Sequence, residues 1–170
     1  MKRLFSFLLC SFLGGCTSFT SERISCPKTA ILAEFSKSLN FFKGIPIRTE
    51  MDSLTPECAP DGNQIIMNFR LRMTSLRPLS HFHHAFSFTP SYFVAVVDKA
   101  GNVLSRSDHD LKVNFEEKQT TKVDFVRLQE RMPANKEVSV YVGFNLDEKQ
   151  LDFLRKEREK KLHDHRSQSH

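Results

Sequence analysis

Two stretches of this chain alternate apolar and polar residues for long enough to dictate a fold class. In Gln64 to Met73, Ile65, Met67, Phe69, Leu71 and Met73 fall on one side, and Ile66, Asn68, Arg70 and Arg72 on the other. Val138, Val140, Val142, Phe144 and Leu146 alternate in the same way with Ser139, Tyr141, Gly143 and Asn145. Only an extended strand sends successive side chains to opposite faces, so each stretch predicts a strand with one buried and one wet face.

Other segments extend the pattern. Tyr92 to Val97 is apolar on both faces and predicts a central strand covered on both sides. Asp98 to Asn102 predicts a tight hairpin, with Gly101 available for positive φ, and Val103 to Ser107 the returning strand. Asp61-Gly62-Asn63 predicts a turn ahead of Gln64. Leu111, Val113 and Phe115 alternate again. Between Val123 and Leu128 the apolar phase slips, which predicts a β-bulge. Ala30 to Phe42 is ambiguous, because Ile31, Leu32, Phe35, Leu39 and Phe42 suit helical spacing as well as strand spacing. Roughly seven short strands without intervening helices predict a mainly β fold. The expected form is an immunoglobulin-like antiparallel β-sandwich with a short C-terminal helix, and a closed barrel is the alternative.

The helix begins at Asp147, a capping residue with Gln150 three positions on as its capping-box partner. Leu151, Leu154 and Leu162 give it a thin apolar stripe. Its lysines and arginines nearly balance its acids, which weakens a reading as a membrane-surface helix and leaves a solvated helix or a partner-binding one.

The N-terminus carries an address. Lys2 and Arg3 precede the short apolar run Leu4 to Leu13, and Leu13-Gly14-Gly15-Cys16 closes it. The run is too short to span a bilayer and has the layout of a secretory signal. The closing tetrapeptide resembles the lipobox of bacterial lipoproteins. That resemblance implies cleavage before Cys16, a diacylglyceryl thioether on its sulfur and acylation of the new amino terminus. One acyl chain anchors only marginally, and two or three hold a protein stably. Thr17 follows Cys16 where an Asp often marks inner-membrane retention in such lipoproteins, so the expected site is the periplasmic face of the outer membrane. The chain therefore divides into a signal peptide (1–15), a lipidated tether (16–25), a β-sandwich (26–146), the helix (147–162) and a disordered polar tail (163–170).

Of the four cysteines, Cys10 leaves with the leader and Cys16 takes the lipid. Cys26 and Cys58 remain, and a pair in an oxidising compartment predicts a disulfide. A redox or metal-binding pair is the alternative, disfavoured by the wide spacing and the lack of a neighbouring His. The formal charge is +5, two units of which belong to Lys2 and Arg3. So mild a charge in this compartment gives no reason to expect nucleic acid as a partner.

Three stretches together carry a wider resemblance: Cys26 to Leu32, Tyr92 to Asp98, and Val142 to Leu146 with the following Asp147 to Phe153. The set resembles a family of small uncharacterised proteobacterial outer-membrane lipoproteins. The likeness covers most of the mature chain, but not Ser75 to Phe88 or the tail after Arg155. It implies a shared fold and address and brings no catalytic residues with it.

Candidate chemistry is sparse. His81-Phe82-His83-His84 is the sharpest local signal. On a strand, His81 and His83 point the same way and could share a metal, with His109 or Asp108 supplied from another strand. A solvated loop rich in histidine is the plainer reading. His163, Asp164, His165 and His170 are better explained by a polar tail than by pH sensing. Asp108-His109-Asp110 holds acid and base together, but no elbow motif places a nucleophile beside it. Sixteen Phe and no Trp are mostly accounted for by core periodicity. Phe82, Phe86 and Phe88 could form an apolar patch, which would mark a partner site if exposed. The expectation is a lipid-anchored periplasmic binding or structural module, not an enzyme, with no cofactor. Its partners would be the membrane through Cys16 and other envelope proteins. A metal-binding protein using His81–His84 is the alternative.

Overall fold

The computed structural model describes residues 25–78 and 84–167. Ten strands and one helix follow in order: β1 Lys28–Ile31, β2 Lys37–Phe42, β3 Ile45–Asp61, β4 Gln64–Leu76, β5 Phe86–Phe88, β6 Ser91–Asp98, β7 Val103–Asp110, β8 Val113–Phe115, β9 Thr121–Pro133, β10 Val138–Phe144 and α1 Glu148–Ser167. A 3-10 turn, Ala33–Phe35, separates β1 from β2. The ambiguous segment Ala30 to Phe42 is thus mostly strand.

Two four-stranded sheets form the body. Sheet A runs β1-β10-β6-β7 and sheet B runs β2-β3-β4-β9, while β5 and β8 pair as a small third sheet. Pairing is antiparallel throughout except for β1 against β10, which is parallel. The alternation dictates how the two large sheets meet. Met67, Phe69, Leu71 and Met73 of β4 are buried, as the sequence predicts, and so are Val138, Val140, Val142 and Phe144 of β10. They join Tyr92, Val94 and Val96 of β6 and Met132 of β9 in one core between the sheets. The expected mainly β sandwich with a C-terminal helix is present. Tyr92 to Val96 is buried on both faces, as its unbroken apolar run requires.

A second, smaller core closes one end. Ile47, Val113 and Phe115 are its buried residues, with Phe42, Ile45, Phe86, Phe88 and Leu111 packed against them.

The predicted hairpin connects β6 to β7. Gly101 sits at φ +90°, and the Asp98 carboxylate accepts from the Asn102 amide N–H at 2.8 Å and its side chain at 2.9 Å. A turn that the sequence reading passed over joins β2 to β3. There Lys43 and Gly44 both have positive φ, 50° and 80°, which is the geometry that matches a two-residue hairpin to strand twist.

The phase slip at Val123 to Leu128 is not a bulge. β9 pairs with β4 in unbroken register from Thr121 opposite Leu76 to Pro133 opposite Gln64. Val126 and Leu128 turn inward, while Val123 and Phe125 are apolar residues on the outer face. The irregularities fall elsewhere, between Met51 and Ser53 in β3 and between Val96 and Val97 in β6.

The helix starts as its sequence predicts. Gln150 N–H donates to Asp147 Oδ1 at 2.8 Å, and Asp147 N–H donates to Gln150 Oε1 at 3.1 Å, a complete capping box. It runs to Ser167, five residues beyond the expected Leu162, so most of the stretch expected as a disordered tail is helical. It docks over β2 and β3 on the outer face of sheet B. Leu154 is buried, Gln150 donates to the Leu39 carbonyl, and Arg48 grips Glu157 with contacts of 2.8 and 2.9 Å. The helix thus covers β2 and the start of β3 around Arg48, and leaves β4, β9 and the later part of β3 open.

Candidate functional site

Several of the residues singled out from sequence lie outside the described residues: Cys16, His81, Phe82 and His83. Cys26 and Cys58 stand at disulfide distance, with Cα atoms 5.5 Å apart. Cys26 precedes β1 of sheet A and Cys58 lies in β3 of sheet B, so the pair staples one sheet to the other.

His109 is placed by β7, opposite Tyr92 of β6. Its ring stacks on Tyr92 with centroids 5.3 Å apart, and its Nε2 meets Ser107 Oγ at 3.0 Å. Ser107 Oγ in turn donates to Glu130 Oε1 at 2.8 Å. A hydroxyl has one proton, and here it goes to the carboxylate, so the imidazole must donate to the oxygen. That is the reverse of the arrangement that activates a serine nucleophile. The array ties the edge strand of sheet A to the edge strand of sheet B. Burial pushes the Tyr92 phenol up to about 12, with the Asp110 carboxylate adding to the effect. Among the described residues no three His, Cys, Asp or Glu side chains gather closely enough to hold a metal ion.

On the outer face of β7, Asp108 accepts from Asn145 Nδ2 at 3.0 Å and from Arg106 at 3.3 Å. Those bonds, Asn145's foremost, hold its carboxyl below the usual range. Arg106 also donates to Asn145 Oδ1 at 2.7 Å and lies 4.3 Å from the Phe93 ring centre. Every polar group there is engaged by a neighbour, and the cluster fastens β10's end to β7.

Phe86 and Phe88 are half-buried. Phe86 stacks on Phe115 at 5.3 Å and on Phe42 at 4.6 Å, and Phe88 faces Phe115 at 6.3 Å. They belong to the second core, so the exposure that would have marked them as a partner surface is not what the fold gives them.

The open half of sheet B's outer face is different. Register puts Arg70 of β4 directly opposite Arg127 of β9, with Thr55 of β3 on Arg70's other side. The next outward row toward one end is Glu57, Asn68 and Gln129; toward the other it is Ser53, Arg72 and Phe125. Arg131 follows Gln129 on β9. An open groove of about 570 Å³ runs across these rows, lined by Thr55, Glu57, Asn68, Arg70, Arg127 and Gln129. Arg72 is shared with Asp52 at 3.4 Å, whereas Arg70, Arg127 and Arg131 form no ion pair among the described residues. Phe125 is 62% exposed beside them. Facing like charges destabilise a sheet, so this pairing works against the fold. Guanidinium groups can donate two parallel hydrogen bonds to carboxylate or phosphate oxygens.

Sequence reasoning put Asn68, Arg70 and Arg72 on the wet face of β4 but could not see Arg127 and Arg131 beside them, because the apparent slip in β9 hid its true phase. Counting arginines at outward positions of two neighbouring strands would have found the face. Comparison of the chain with protein-family models, with curated proteins and with solved structures finds no match in any of the three.

Proposed function

We propose that this chain is a lipid-anchored binding module of the bacterial cell envelope, held on the periplasmic face of the outer membrane through Cys16. Its working surface is the open outer face of sheet B, and its ligand is an anionic component of the envelope. The observation that carries this reading is the exposed Arg70–Arg127 cross-strand pair. The pair opposes stability and has no counter-charge bound to it among the described residues, so a ligand that supplies one would relieve the repulsion. The Leu13-Gly14-Gly15-Cys16 motif supports the anchor, and the Cys26–Cys58 staple suits an oxidising compartment.

Photo-crosslinking in intact cells tests it. A benzoylphenylalanine at Gln129, inside the groove, is expected to trap an envelope component, while the same probe at Lys99, on the β6–β7 hairpin of sheet A, traps nothing comparable. Equal labelling from both positions, or none from Gln129, would overturn the assignment of the face.

A further inference from the structure

We infer that the ligand of this face is the anionic phospholipid surface of the membrane that carries the anchor, an inference that rests on the anchored-module reading. Three features of the fold converge on it.

The first is reach. The tether from Cys16 to Cys26 is ten residues long and spans at most about 35 Å. It joins the domain where Cys26 is bonded to Cys58, and Cys58 lies in one row with Met67 and Glu130 across sheet B. The Thr55–Arg70–Arg127 row is three residues along β3, or roughly 10 Å, and β9 lies two strands over, roughly another 10 Å. Arg127 therefore stands on the order of 15 Å from Cys58 in the plane of sheet B, and with Cys26 a further 5.5 Å off toward sheet A the tether's attachment is roughly 20 Å from the guanidinium groups. Ten residues of chain are long enough for the domain to lie with this face on the bilayer.

The second is chemistry. Guanidinium groups pair with phosphate through two parallel hydrogen bonds, and Arg70, Arg127 and Arg131 have theirs free of ion pairs among the described residues. Phe125, Val123 and Leu76 continue the same face beyond Arg72 and are all exposed. Arginines followed by an exposed aromatic and aliphatic residues match the headgroup–acyl boundary, which takes both. Glu57 and Asp52 share the face, and Asp52 is occupied by Arg72 and the Thr74 hydroxyl.

The third is shape. The basic and apolar residues lie on an open sheet face with a shallow groove, built on paired strands. An extended surface fits that form better than a small anion enclosed on several sides does.

The test uses the mature chain with Cys16→Ser, so that lipid cannot mask binding, and vesicles of phosphatidylcholine with or without phosphatidylglycerol. Binding is expected only with phosphatidylglycerol, falling as salt rises. Arg70→Gln with Arg127→Gln should weaken it about 25-fold, roughly five-fold per arginine. Lys149→Gln with Lys156→Gln on α1 should leave it unchanged, and Phe125→Ser should weaken it with the arginines intact. Thermal melts of each variant, expected at or above wild type for the arginine pair, separate loss of binding from loss of fold. No preference for phosphatidylglycerol, loss through the α1 pair alone, or capture of an acidic protein with vesicles untouched would each overturn the inference. The mass of the Cys16 peptide from cells separates the two readings. A lipid-modified Cys16 with no vesicle binding keeps the anchor and overturns the face. An unmodified Cys16 with arginine-dependent binding does the opposite.

Discussion

Arg77 carries a full charge into a space that leaves it only 4% exposed. Among the described residues it has no carboxylate partner. Its guanidinium instead donates to three backbone carbonyls: Gln119, His84 at 3.0 Å and Glu116 at 2.7 Å. The rings of Phe115 and Phe86 lie 5.1 and 5.4 Å from it. One side chain therefore fastens the end of β4 to the segments before β5 and after β8. Arg77→Met would leave the carbonyls unpaired while removing a buried charge, and the expected net loss is about 2–3 kcal/mol, read as a lower urea midpoint. Arg77→Lys should recover little of it, since the three N–H groups of an ammonium radiate from one nitrogen, whereas Nε, Nη1 and Nη2 of Arg77 each reach a different carbonyl. Asp124 shows the opposite economy. Its Oδ2 is buried without a hydrogen-bond partner among the described residues, and desolvation raises its carboxyl above the usual range, with Lys122 partly offsetting the effect. A carboxyl raised on folding favours the native state below its ordinary value near pH 4 and costs stability as pH rises through the raised value. Asp124→Asn should thus raise the melting temperature at pH 7 by about 2 °C, and the gain should vanish near pH 3. A melt series in which the gain persists at pH 3 would show that the cost is not one of ionisation. Neither residue announces this in sequence: an arginine beside a proline and an aspartate in a charged strand both read as solvated.

At the scale of elements, β4, β6 and β10 were legible because burial is uniform along each face. β4 and β10 alternate, and β6 is apolar throughout. β3 was not, although it is the longest strand, because Pro46, Pro56 and Pro60 interrupt its pattern and the irregularity after Met51 changes its phase. The fold tolerates Pro56 and Pro60 because β2 pairs only as far as Glu50, so the rest of β3 is an edge that has no second ladder to supply. β9 misled for the converse reason. Val123 and Phe125 face outward, and apolar residues on both faces of a regular strand look like a slipped one. The candidate face was illegible on the same account, since it exists only when β9 is given its true phase beside β4. The capping box at Asp147 and Gln150 was legible because it is local; the helix's extension to Ser167 was not, since no apolar stripe accompanies it. β9 also yields a prediction about stability rather than binding. Arg127→Glu would replace a facing pair of like charges with an opposite pair opposite Arg70, worth roughly 0.5–1 kcal/mol. The melting temperature should rise by about 1–4 °C at low salt and less at high salt. A variant that melts below wild type would mean that Arg70 and Arg127 do not repel each other in the folded chain.

For the whole molecule the decisive covalent feature is the staple between the sheets. Cys26 and Cys58 are 32 residues apart, and the loop they close contains β1, the 3-10 turn, β2 and most of β3. Closing a loop of that size stabilises a domain by about 3–4 kcal/mol in the chain-entropy view, against a total of about 5–15 kcal/mol. Both cysteines are half-buried, so a thiol reductant can reach them. β1 is short, lies at an edge of sheet A and pairs on one side only, with β10. It is the element that should loosen when the bond is cut, while the core between the sheets holds. Reduction should therefore lower the urea midpoint and speed amide exchange at Lys28–Ile31 well before it does so in β4 or β10. The Cys26→Ser, Cys58→Ser chain should behave as the reduced wild type does, without responding further to reductant. On the anchored reading proposed above, released β1 residues would also lengthen the tether and move its attachment away from the arginine face. If reduction left the midpoint and the exchange of β1 unchanged, the two sheets would be held by their shared core alone, and the position of that face relative to Cys16 would not depend on the bond.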